Sequence, residues 1–315
     1  MRVVALAGGI GAGKFLRGLV RVVSPGDITV VVNTGDDLTL HGLRICPDLD
    51  SVMYWLAGVS DRERGWGRAG ETFRTLDEVR RLGGQGWFGL GDLDLATHFV
   101  RTQMLDEGRT LSQTTDHLRR RLGVEPELLP MSDDPVQTWI QSVDEHGVGV
   151  YQPFQMWWVA MRAEPEVKAV AYKGVDAAVP APRVLEAIAR ADAIVLCPSN
   201  PVVSLGPILA VPGIREAVAA RRDHVAGVSP IIAGAPVQGM ADRLMPAVGL
   251  EVSAAGAASA YRDLLSGWVI DERDSALAPR IERELGVRVS ITDTLMTDDD
   301  AAERVARAAL GSLDR

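Results

Sequence analysis

The chain is short of several things, and each shortage removes a class of function. Its 315 residues include two cysteines, Cys46 and Cys197, too few for a disulfide framework and spaced for neither a zinc site nor a redox pair. A reducing compartment, the cytoplasm, is the expectation that follows. No apolar run approaches the about 20 residues that a membrane helix needs. The N-terminal run Met1–Ala7 breaks at Gly8, too short for the apolar core of a signal peptide, so no membrane partner is expected. Basic residues are in deficit, 33 Lys and Arg against 42 Asp and Glu, a formal charge of −9. Duplex nucleic acid is thereby excluded as a partner, because clustered cations are needed to displace counterions from phosphates. A nucleotide stays open, since a local glycine loop holds a phosphate whatever the global charge. Histidine is scarce too: His41, His117, His146 and His224 share no spacing that suggests a metal or a catalytic group. No Ser-His-Asp order surrounds a nucleophile elbow.

What is present is an apolar share of 47% and a charged share of 24%, ordinary for a chain with a full core. The length suits one large domain, or a core domain carrying an insertion. Short continuous apolar runs read as buried parallel strands: Val3–Ala7, Ile28–Val32, Ala193–Cys197, Val225–Val228, Trp268–Ile270 and Val287–Ile291. Helical stretches fall between them at Phe15–Val23, Val184–Ala191, Ile214–Arg221 and Ala254–Leu265, with Ala301–Leu310 as a closing helix. This alternation predicts an α/β fold, a doubly wound, mainly parallel Rossmann-like sheet with right-handed crossovers. Between residues 50 and 131 helices dominate: Ser51–Leu56, Thr72–Leu82, Leu93–Leu105 and Ser112–Leu122, the last with Ser112 as its cap. The division expected is a nucleotide-binding core of residues 1–49 and 132–315, with 50–131 as a helical cap contributing to an acceptor site. The aromatic-rich Tyr151–Val159 reads as a continuation of that cap.

Ligands of an open α/β sheet bind beyond the carboxyl ends of the strands. The residues there are chemical in character: Gly8–Lys14, Asn33–Asp37, Pro198–Pro201, Ser229–Pro230 and Thr292–Thr294. Gly8–Lys14 fits G-x-x-x-x-G-K, but Phe15 stands where a Ser or Thr would hold magnesium; it fits a dinucleotide-type G-x-G turn as well. Either way, glycines and a helix N-terminus suit a phosphate, the alternative being a turn that only packs. Lys14 reads as a phosphate partner or as a solvated lysine. Asp36, Asp37, Asp48 and Asp50 are hard oxygen ligands beside that loop, although turn and cap roles also suit aspartate. Asp94, Thr97, His98 and Arg101 share one helical face, either solvated or turned toward substrate, and Asp92 just ahead caps the helix or joins the site. Trp157 and Trp158 read as core, or as a stacking platform for a planar heterocycle.

Longer strings then carry a resemblance. Gly8-Gly9-Ile10-Gly11, Val32–Asp37, Pro47–Val52, Gly91–His98, Arg101–Met104, Leu129–Asp134, Phe154–Trp158, Pro198–Pro201 with Ser204–Ile208, Ser229–Ile232 and Asp293–Met296 follow one another as they do in the 2-phospho-lactate transferase family of coenzyme F420 biosynthesis. The chain resembles that family over nearly its whole length. The resemblance implies a transferase in which FO, a deazaflavin with a ribityl chain, attacks a phosphorus of a guanosine diphosphate-linked donor and GMP leaves. Arg44–Cys46 and Arg101–Met104 look closer to actinobacterial members, which use a phosphoenolpyruvyl donor. Lys14 and Met131–Pro135 look closer to archaeal members, which use phospholactate. Donor contacts are implied at Gly9, Gly11, Lys14, Asn33, Ser199, Asn200 and Ser229. FO contacts are implied at Asp50, Asp92, Asp94, Thr97, His98, Arg101 and Trp157. Mg2+ is the implied cofactor, held by Asp36, Asp37 and Asp50, with Asp50 and Asp36 as the catalytic pair and a homodimer as the implied assembly. Members of the family often carry Arg where Leu93 stands here, which raises the question whether Arg101 substitutes. The alternative is a nucleotide-sugar-binding regulator with the same core and no transfer activity.

Overall fold

A computed structural model describes residues 1–144 and 146–313. Its centre is a sheet of seven parallel strands: β1 (Val3–Ala7), β2 (Ile28–Val32), β3 (Glu127–Pro130), β4 (Ala193–Leu196), β5 (Val225–Val228), β6 (Gly267–Ile270) and β7 (Arg288–Ile291), in the order β7-β6-β5-β4-β1-β2-β3. This is the doubly wound order with one strand added, and its direction of winding reverses between β1 and β4. The inner strands are mostly apolar because both their faces are covered, whereas the edge strands β3 and β7 carry Glu127 and Arg288. Along β1, Val4 and Leu6 join the core on one face while Val3, Ala5 and Ala7 join the core on the other.

Helix α1 (Gly9–Val22) follows β1 and lies between α2 (Pro47–Ala57) and the closing helix Asp299–Gly311. Beyond them come α3 (Arg74–Arg81), α4 (Asp92–Asp106) and α5 (Leu111–Arg121). The hairpin of Leu38–Leu40 and Leu43–Ile45 packs with Leu90 and Leu95 in a small separate core, which seats α4 beside the rim of the sheet. No helix among the described residues is long and apolar enough to cross a membrane.

Several local expectations are corrected. Residues 50–131 hold more than a helical cap, because β3 forms the edge of the main sheet and Leu111, Leu118 and Leu128 enter the main core. Thr110 rather than Ser112 caps α5: its Oγ1 accepts from the Gln113 amide at 3.2 Å, and Gln113 Oε1 accepts from the Thr110 amide at 3.1 Å. Ser112 instead donates its hydroxyl to Asp133 at 2.8 Å. The helix expected over Ala254–Leu265 ends at Ser259. Tyr151 lies not in a cap but in an antiparallel sheet of Gln137–Val143, Gly149–Pro153 and Glu166–Lys173.

Candidate functional site

A cleft of about 520 Å³ opens at the carboxyl ends of the strands, across the point where the winding reverses. Its size suits a nucleotide-scale ligand. Gly8 ends β1 in an extended conformation, Gly9 starts α1 with φ 71°, and no side chain caps the helix. A Cβ on Gly11 would stand 2.3 Å from the Pro198 carbonyl oxygen, so only glycine lets α1 begin this close to the β4 loop. Ser199 ties the two loops together, accepting from the Gly8 amide at 3.2 Å and donating to the Gly8 carbonyl at 2.8 Å. The turn brings a glycine-rich helix start to the cleft, with no capping side chain at its N-cap, an arrangement suited to an anion. The Gly9 amide already faces the Asp48 carboxylate.

Asn33 organises the floor. Its Oδ1 accepts from the Gly35 amide at 2.8 Å, and its Nδ2 donates to Asp48 at 2.8 Å, to Asp36 at 3.2 Å and to the Val203 carbonyl at 3.1 Å. Asn33 is fully buried and acts by holding these acids, which themselves line the cleft. Neither Asp36 nor Asp48 has a Lys or Arg partner among the described residues. Burial, and then the charge of Asp48, push the Asp36 carboxyl well above the usual range; burial pushes Asp48 up to about 7 against the Asn33 hydrogen bond. Asp37 lies behind this wall, paired with Arg44 at 2.9 Å and accepting from the Cys46 thiol at 3.0 Å. Burial outweighs the arginine and holds its carboxyl at about 6.

A second acidic group sits where α2 meets α4. Arg101, buried, clasps both oxygens of Asp50, one of them at 3.0 Å, and its Nη1 lies 3.1 Å from His98 Nδ1. His98 Nε2 is 3.4 Å from Asp94, which accepts from the Tyr54 hydroxyl at 2.7 Å. Asp50, Asp94 and His98 offer ligand atoms within 4.8 Å of one another. The Arg101 guanidinium already stands beside this trio and forms an ion-pair network with it.

The expected site residues thus divide. Gly9, Gly11, Lys14, Asp36, Asp50, Asp94, His98, Ser199, Asn200 and Ser229 line the cleft. Asn33, Asp37, Thr97, Arg101 and Trp157 stand behind it, and Thr97 hydrogen-bonds Tyr54. Asp92 faces outward, held by the Thr72 hydroxyl and the Thr75 amide. Trp157 is buried with its Nε1 donating to the Pro165 carbonyl at 2.9 Å, while Trp158 stacks on Phe154 at 5.3 Å and lines the cleft. Leu93 is exposed and outside the cleft, so its departure from the family pattern removes no lining group, and Arg101 is committed to Asp50. Sequence reasoning missed Trp66, Phe88 and Tyr54 on the aromatic side, and Asp271. The Asp271 carboxylate fixes the β7 loop by accepting from the Thr294 amide and hydroxyl at 2.9 and 3.0 Å. Asp48 was visible only as one of four neighbouring acids.

Fold and cleft define a Rossmann-like α/β protein with a crevice at its switch point, lined by a glycine-rich helix start, acids and aromatics. The family model described as 2-phospho-L-lactate transferase CofD matches residues 3–306, and the chain belongs to that family. It is 52% identical to the phosphoenolpyruvate transferase of Kitasatospora aureofaciens over 98% of this chain and 97% of that one. It is 42% identical to the 2-phospho-L-lactate transferase of Methanosarcina mazei over 96% of this chain and 97% of that one. Among solved structures, a UPF0052-family protein from Bacillus halodurans matches at 20% identity with a TM-score of 0.65, covering 98% of both chains, which bears on the fold.

Proposed function

We propose that the cleft joins a guanosine diphosphate-linked three-carbon acid to the ribityl hydroxyl of FO. The terminal hydroxyl oxygen forms a bond to the phosphorus carrying the acid, the bridging P–O bond to GMP breaks with its electron pair leaving on the GMP oxygen, and the hydroxyl proton passes to the Asp50 carboxylate and on to water. The product is a phosphodiester of the (dehydro) coenzyme F420-0 type. The observation that carries the reading is one cleft lined by two unlike sets of groups: the start of α1 with Ser199 and Asn200, and the aromatic side chains Tyr54, Trp66, Phe88 and Trp158. The first suits a diphosphate, the second a planar heterocycle. Identities of 44–52% to phosphoenolpyruvate transferases favour the enolpyruvyl donor over the lactyl one.

Magnesium fits the acids that lack a cation. Asp36 and Asp48 would hold it, two hard carboxylates on the cleft with no arginine or lysine of their own. Asp50 and Asp37, each bound to an arginine, fit it less well. Bound there, magnesium would neutralise charge on the leaving phosphate. The chain's own residues supply the rest: α1 amides orient the diphosphate, and Asp50, fixed by Arg101, orients the hydroxyl on the aromatic side.

FO binding, followed by deazaflavin fluorescence with and without GDP and magnesium, tests this. Saturable binding that GDP alters is expected. No FO binding together with firm binding of a nucleotide sugar would replace the transferase by a binding protein on the same core.

A further inference from the structure

Lys14 is the lining residue with a fixed positive charge in a cleft that also presents Asp36, Asp48, Asp50 and Asp94. Half-buried in the second turn of α1, it has no carboxylate partner among the described residues; its Nζ lies 5.8 Å from the centroid of the Trp55 ring. An ammonium partly withdrawn from water without a counterion is unfavourable, and a ligand anion would relieve that cost.

Resting on the function proposed above, we propose that Lys14 receives the carboxylate of the donor's three-carbon acid, and so makes the cleft selective for a carboxylated donor. The donor brings two kinds of negative group into an acid-lined cleft. Its diphosphate has the uncapped amides at the start of α1. Lys14 lines the same cleft from the second turn of that helix, with its Nζ over the Trp55 ring. The acids of the cleft offer a carboxylate no partner, and Arg101 and Arg44 are committed to Asp50 and Asp37. Among the described residues Lys14 is the Lys or Arg side chain of the cleft lining, so it is the side-chain cation a free carboxylate would meet there.

The test compares the full-length chain with Lys14→Met and Lys14→Arg, by calorimetric binding and by transfer kinetics. The probes are GDP, enolpyruvyl-diphosphoguanosine and the methyl ester of that donor. Lys14→Met should bind GDP within about twofold of the parent, yet lose roughly 30-fold in affinity and KM for the carboxylated donor. Lys14→Arg should recover most of that loss. The parent should reject the methyl ester by a similar factor, and Lys14→Met should not. An equal loss of GDP affinity would assign Lys14 to the diphosphate and overturn the proposal, as would unchanged donor affinity. A parent that binds donor but transfers nothing would sink the transferase reading and leave the Lys14 comparison intact; a parent that binds no donor would sink both.

Discussion

Two acidic groups border the same cleft and are balanced differently. Asp50 and Asp94 are electrically closed: a guanidinium, an imidazole and a tyrosine hydroxyl meet them within the protein. Asp36 and Asp48 are open, held by neutral donors alone (the shared Asn33 amide, the Gln155 amide on Asp36 and the Gly9 backbone amide on Asp48) and by no cation among the described residues. A closed network costs its desolvation once, on folding, and stays fixed. An open pair keeps its demand for a proton or a cation until a ligand arrives. The first is suited to positioning and the second to binding, though both are built from aspartates and Asp48 and Asp50 stand two residues apart.

Breaking the closed network should have the largest effect. Arg101→Met leaves the buried Asp50 charge unpaired and should cost about 3–5 kcal/mol in chemical denaturation. The double variant Arg101→Met/Asp50→Leu should recover most of this; no recovery would mean that Arg101 stabilises by packing alone. On the open side, Asp36→Ala should lower kcat by roughly 10²–10³-fold while altering the denaturation midpoint little. A large loss of stability there would remove the distinction between the two groups. Asp48→Asn sharpens it through pH. The Asp48 carboxyl sits at about 7 in the folded protein, against about 3.9 in an unfolded chain, so folding favours its neutral form. Its contribution is complete below about pH 4 and is lost as pH rises through about 7. The asparagine side chain has no charge to bury, so this variant should be more stable than the parent by roughly 1–3 kcal/mol at pH 8 and no more stable at pH 4. Leu93→Arg should be nearly silent, within about 0.5 kcal/mol of the parent and with similar turnover, because that side chain is exposed and off the cleft.

The main sheet was legible because parallel strands covered on both faces are continuous apolar runs; six of the seven could be read that way. β3 escaped, having only Leu128 and Leu129 between Glu127 and Pro130. The antiparallel sheet escaped for another reason. Gln137–Val143 alternates as a strand should, but it turns Thr138 and Ser142 inward with Ile140, and polar inward residues hide the period. At the site, the rim loops could be read because their place after each strand is dictated by topology. Pattern alone could not decide whether the face of Asp94, His98 and Arg101 is solvated or buried. Its burial depends on Asp50, 51 residues from Arg101 in sequence. The same holds for Trp66 and Phe88, which reach the cleft through loops whose course has no periodic signal.

The most direct measurement is transfer itself: purified protein with FO, each candidate donor and magnesium, scored for GMP and for a deazaflavin phosphodiester by mass. Stoichiometric GMP and product, lost when magnesium is chelated and lost in Asp36→Ala, is the result expected. FO and donor that both bind and remain unchanged, with magnesium present, would contradict the account at its centre.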